Sequence, residues 1–175
     1  MSPAVGAVDV QYADSGRARA GLVVGDELTF DTVVAEHVAD IARTAPYEPG
    51  ALYRRELPCI TAVLEFGPPL ELLVIDGYAT LDPDGRPGLG AHAAEAFRLP
   101  VIGVAKTPFR GATHAAEVVR GGGSRPLYVT TAGGVDLAEA AQMVSAMAGP
   151  HRIPAALARV DRLARGREQP ELRMR

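Results

Sequence analysis

Three carboxylates, Asp9, Glu56 and Asp76, have the residue types and surroundings for metal-assisted chemistry. Asp9 follows the apolar run Val5-Gly6-Ala7-Val8, and Asp76 follows Leu72-Leu73-Val74-Ile75. A charge at the end of a buried strand is costly unless it is paired or bound to a cation. Two such ends side by side, with a third carboxylate at hand, form an oxygen-rich site suited to Mg²⁺. Such a site can cleave a phosphodiester between two metal ions.

The elements that must position these residues are legible from their punctuation. Residues 5–10, 18–24 and 27–34 read as strands, joined through Asp14-Ser15-Gly16 and Gly25-Asp26, both good tight-turn sequences. The chain therefore opens with an antiparallel three-strand meander. Residues 44–50 hold two prolines and a glycine and read as a loop. A helix is expected over 50–64, in which Pro58 must sit in the first turns or break it. Residues 70–75 form a nearly continuous apolar run, as in a strand buried on both faces. A turn-rich segment over 76–88 precedes a helix over 88–97 and a buried strand over 101–104 that ends near Lys106. Gly121-Gly122-Gly123 reads as a hairpin turn before a strand over 126–130. Asp136 is placed to cap a helix over 137–148, and a last amphipathic helix covers 154–164. A meander followed by alternating helices and strands is an α/β layout with a mixed sheet. It matches the ribonuclease H-like arrangement, in which an acidic first strand lies beside an acidic fourth strand. Residues 1–166 are expected to form a single catalytic domain and 167–175 a disordered tail.

Composition narrows the classes. With 175 residues and 47% hydrophobic content, the chain can bury one core. No apolar run approaches the ~20 residues needed to span a bilayer, no signal peptide is visible, and no membrane partner is expected. Cys59 is the only cysteine, which excludes disulfide frameworks and cysteine-based zinc sites; a cytoplasmic location is expected. A net charge of −3 argues against binding nucleic acid through bulk charge but leaves room for local basic groups.

Five segments in register carry a resemblance. Val8-Asp9-Val10-Gln11-Tyr12, Pro46-Tyr47-Glu48-Pro49-Gly50 with Tyr53-Arg54-Arg55-Glu56, and Val74-Ile75-Asp76-Gly77-Tyr78 come first. Leu99-Pro100-Val101-Ile102-Gly103-Val104-Ala105-Lys106 and His151-Arg152-Ile153-Pro154 with Asp161-Arg162 follow. Together they resemble the endonuclease V family. The resemblance implies a Mg²⁺-dependent endonuclease, with Mn²⁺ able to substitute. Such an enzyme nicks DNA or RNA 3′ to a deaminated base, inosine. By position, Asp9, Glu56 and Asp76 would be the metal carboxylates and Lys106 would face the scissile phosphate. Tyr47, with Pro46 and Pro49, would form a wedge between strands. Gly77 and Tyr78 would lie near a base flipped out of its stack. The chain departs from the family pattern at Asp82, which stands in place of a histidine, at Glu48, and at Thr131-Ala132-Gly133-Gly134.

Other polar residues have structural readings. Asp82 reads as a loop residue and His92 as a core histidine on an apolar helix face. For His151 and Asp161, a structural salt bridge and a nucleic-acid contact are equally open. Two alternatives stand beside the nuclease: a family member that binds nucleic acid without cutting, and a phosphoesterase of small substrates. Strand binding predicts a basic track leading to Asp9 and Asp76. A small-substrate enzyme predicts a closed pocket.

Overall fold

The computed structural model describes residues 4–166, so the expected tail at 167–175 lies outside the described residues. Its centre is a seven-stranded mixed sheet in the order β3-β2-β1-β4-β5-β7-β6. The strands are β1 (Val5–Tyr12), β2 (Ala18–Gly25), β3 (Val33–Ile41), β4 (Leu72–Asp76), β5 (Val101–Ala105), β6 (Ala116–Val118) and β7 (Leu127–Ala132). The helices are α1 (Tyr53–Leu64), α2 (Leu89–Phe97), α3 (Leu137–Ala146) and α4 (Ala155–Ala164). β1 pairs antiparallel with β2 and parallel with β4, β4 runs parallel with β5, and β7 runs antiparallel to β5 and β6. This is the ribonuclease H-like arrangement that the sequence suggested.

Side-chain alternation builds two cores on the one sheet. Val8, Val10, Leu73 and Ile75 pack with Cys59, Ile60 and Val63 of α1 and with Ala93 and Ala94 of α2. Val5, Ala7, Leu72 and Val74 pack on the opposite face with Val144 of α3 and with Leu157, Val160 and Leu163 of α4. The central strands are therefore apolar on both sides until they reach Asp9 and Asp76. Among the described residues no helix is long and apolar enough to cross a membrane.

Two elements differ from the sequence expectation. The third strand is Val33–Ile41, not 27–34. Residues 26–32 form bends instead, with Phe30 at positive φ and its ring buried against Gly25. The alternation of the later segment is weak because β3 is an edge strand with Val33, Val34 and Val38 exposed. The short β6 was not foreseen; it pairs with β7 across the glycine loop, which is indeed a hairpin connection. Pro58 sits inside α1 without ending it, Asp136 caps α3 by accepting from the Glu139 amide at 3.0 Å, and α3 stops at Ala146.

Candidate active site

The register of β1 against β4 creates the site. Val8 stands opposite Ile75 in the parallel ladder, so the next residues, Asp9 within β1 and Asp76 at the end of β4, stand side by side on adjacent strands. Neighbouring strands lie ~4.8 Å apart, which forces the two carboxylates into each other's field. On its other side Asp9 pairs with Gly21 of β2. The missing side chain at Gly21 lets α4 settle on the sheet: a Cβ there would stand 3.1 Å from the Val160 carbonyl oxygen and 3.2 Å from Leu163 Cβ. That close approach brings Asp161 to the first pair. Gln11 Nε2 donates to Asp9 Oδ2 at 3.0 Å and to Asp161 Oδ1 at 3.3 Å. Glu56 enters from the first turn of α1. With Asp9, Asp76 and the apolar side chains of Ile60, Ile75 and Leu89 it lines a recess of about 10 Å³, room for one small occupant.

Crowding sets the electrostatics. Burial, then the nearby Asp76 and Asp161 charges, raise the Asp9 carboxyl to about 6, against a lowering contribution from Gln11. Burial, then Asp9 and Asp76, raise Glu56 to about 7. Burial would raise Asp161 too, but the Arg165 guanidinium, 2.9 Å away, holds its carboxyl below the usual range. Among the described residues no three acidic, histidine or cysteine side chains stand in a grouping tight enough to grip an ion. Asp9 is held instead by Gln11 and the Val10 amide, and Asp76 by Lys106. The donor chemistry is nevertheless all oxygen, and a divalent cation would offset the burial and the mutual repulsion that raise Asp9 and Glu56.

Lys106 is the chain's only lysine among 18 basic residues. It follows β5, and its Nζ lies 3.2 Å from Asp76 Oδ2, with both side chains about a third exposed. Its backbone is fixed from behind. The Arg152 guanidinium donates to the Lys106 carbonyl, to Pro126 O at 2.9 Å and to Arg125 O at 3.1 Å. A cation that is held in place but open to solvent is suited to meeting an anionic substrate.

Known proteins resemble this chain in sequence and in fold. The family model described as Endonuclease V matches residues 2–123. The endonuclease V of Streptomyces avermitilis is 36% identical over 179 residues, covering 90% of this chain and 77% of that protein. This chain belongs to the endonuclease V family. The crystal structure of endonuclease V from Streptomyces avermitilis superposes with a TM-score of 0.79 at 32% identity, covering 94% of this chain and 81% of that one. Ciona intestinalis endonuclease V, in complex with a 24mer DNA containing an inosine followed by a ribo-adenosine, has the same fold. Its TM-score is 0.78 at 19% identity, covering 98% of this chain and 86% of that one. As an endonuclease V, this chain is a nuclease, a hydrolase of nucleic-acid backbone.

Set against the family expectation, the structure brings together Asp9, Glu56, Asp76 and Lys106 but leaves the wedge apart. Pro46, Tyr47 and Pro49 lie on an exposed loop leading into α1, and Tyr47 is 63% exposed. No residue of that loop lines the recess. Gly77 and Tyr78 form the turn directly after Asp76. The Gly77 amide donates to Val104 O at 3.0 Å, and Gly77 adopts a φ of 131°, open to a residue without Cβ. The Tyr78 hydroxyl donates to Thr107 O at 2.7 Å, and its ring meets Phe109 with centroids 5.8 Å apart. Asp82 is a loop residue, as expected: its Oδ1 accepts from the Asp84 and Arg86 amides, each at 3.0 Å. His92 departs from expectation. It is only half-buried and stacks on Tyr53 of α1 at 3.6 Å, because α2 turns that face toward α1 rather than the sheet. Sequence reasoning left Asp161 undecided and passed over Gln11. The signal for Asp161 was the buried set Val160, Leu163 and Ala164, which seats that turn of α4 on the sheet.

Proposed function

We propose that this endonuclease V is a Mg²⁺-dependent enzyme that nicks a nucleic-acid strand on the 3′ side of a deaminated base, inosine. One observation carries the reading: strand register sets Asp9 beside Asp76, Glu56 joins them at one recess, and Lys106 stands on Asp76. Asp9, Glu56 and Asp76 would hold the ion, with Asp161 adjoining them. When bound, it supplies Lewis acidity at the scissile phosphate. Gln11 keeps Asp9 and Asp161 oriented through its amide. Lys106 holds the phosphate and adds positive charge where negative charge develops. Tyr47, with Pro46 and Pro49, is exposed in a manner that suits insertion beside an unstacked base. The backbone of Gly77 and Tyr78 would read the edge of the flipped base.

The test uses purified protein, Mg²⁺ and labelled DNA and RNA oligonucleotides, each with and without one inosine. The expected result is a single cut on the 3′ side of inosine. In Asp76→Asn the rate should fall by more than about 100-fold, since even partners outside the ligand set are worth that much. Full activity in that variant, or no cut by the unaltered protein on any strand, overturns the reading.

A further inference from the structure

Beyond the carboxylate centre the chain carries a second feature that neither the motifs nor the comparisons assign. Where β1 ends and β2 begins, an open groove of about 750 Å³ runs between the β1–β2 turn, the end of β3 and the end of α4. Among the described residues its charged lining is Arg17, Arg19 and Arg165 with Asp40. That local balance opposes the net charge of −3 carried by the whole chain. We propose that this groove binds the phosphodiester backbone of the substrate strand on one flank of the cut, through its arginines and without regard to sequence. The proposal rests on the nuclease reading of the site.

Continuity is the first argument. Gln11 and Arg165 line the groove, and both also touch the acidic centre: Gln11 donates to Asp9 and Asp161, and Arg165 pairs with Asp161. A strand lying in the groove therefore leads directly to the carboxylates. Donor capacity is the second. A guanidinium carries five N–H donors, so an arginine paired with one carboxylate can still meet a phosphate. Arg165 is anchored in this way on Asp161, and Arg19 stands beside it in the groove wall, held by Asp40 at 2.7 Å. Arg17 is exposed on the turn and makes no ion pair among the described residues. The aromatic lining of the groove points the same way. Its aromatic ring, Tyr12, is already covered by the Arg55 guanidinium, 3.7 Å from the ring centroid. Bases find no free ring there to stack on. Exposed rings stand elsewhere: Phe109, 45% exposed, meets Tyr78 beyond the β4 and β5 ends, and Tyr47 stands on the loop before α1.

The experiment measures binding of a labelled single-stranded inosine oligonucleotide, in Mg²⁺ and over a range of salt, to proteins carrying Asp76→Asn with and without Arg17→Ala. Arg17→Ala should weaken binding about three- to tenfold at low salt. It should also reduce the slope of log K against log salt by about 0.7, the loss of one phosphate contact on a single strand. Arg17→Lys should retain most of the affinity, and trimming the oligonucleotide from one end only should erase the difference. Equal affinity and equal salt slope with and without Arg17→Ala overturn the proposal. Cleavage of the same oligonucleotide by the unaltered protein separates the two failures. If it is cut while Arg17→Ala binds unchanged, the groove reading falls and the nuclease reading stands. If it is neither bound nor cut, both fall. Arg17 sits on an exposed turn, and a matching melting curve verifies that the variant is folded.

Discussion

Replacing Glu56 by glutamine in protein stripped of divalent metal should stabilise the fold at alkaline pH. Glu56 is raised from 4.5 to about 7 by burial and by the charges of Asp9 and Asp76. A folded-state value above the unfolded one means that the fold favours the protonated carboxyl. The stability this group contributes is thus present at low pH, is lost as pH rises from about 4.5 to about 7, and stays lost above. The separation corresponds to about 3 kcal/mol. Glutamine keeps the shape and cannot ionise, so Glu56→Gln should melt with the parent near pH 4.5. At pH 8 it should melt about 6–12 °C higher, given 2–4 °C per kcal/mol in a domain of this size. On the proposed ligand set, saturating Mg²⁺ should reverse the order at pH 8, because the ion would bind the Glu56 carboxylate and stabilise only the protein that retains it. The assay is thermal melting in chelator and in Mg²⁺ across that pH range. Coincident melting of variant and parent at pH 8 in chelator would refute the claim that burial and the neighbouring carboxylates disfavour an ionised Glu56.

Two further outcomes follow from packing around the site. A Cβ at Gly103 would lie 2.6 Å from both Ala79 N and Gly77 O, atoms of the turn after Asp76. Gly103→Ala should cost about 1–3 kcal/mol in denaturant unfolding and slow incision by displacing that turn; unaltered stability would show that the turn does not rest on β5. Arg152→Lys keeps the charge but loses the fork that holds the Lys106, Arg125 and Pro126 carbonyls. Incision should fall about tenfold at saturating substrate, as for other residues that orient a reacting group, with KM little changed. A purely structural role for Arg152 would lower the melting temperature and leave that rate intact.

The sequence by itself determined the parts of this protein that depend on local pattern. The apolar runs before Asp9 and Asp76 mark strands buried on both faces, and a charge ending such a run has no cheap structural explanation. Their order, with the step from Tyr47 to Glu56 and the block ending at Lys106, was enough to resemble the family and imply its mixed sheet. The edge strand β3 was misplaced and β6 missed, because edge strands bury only part of one face and lose the alternation that betrays central ones. Tertiary structure alone decided which groups share a field. It is the pairing of Asp9 with Gly21 that admits α4 and sets Asp161 against the centre, although 152 positions separate the two aspartates. It is the fold of three remote segments that gathers Arg17, Arg19 and Arg165 into a basic groove on an acidic chain. Neither contact leaves a local mark, since Coulomb interaction and close packing depend on distance in space and not on separation along the chain.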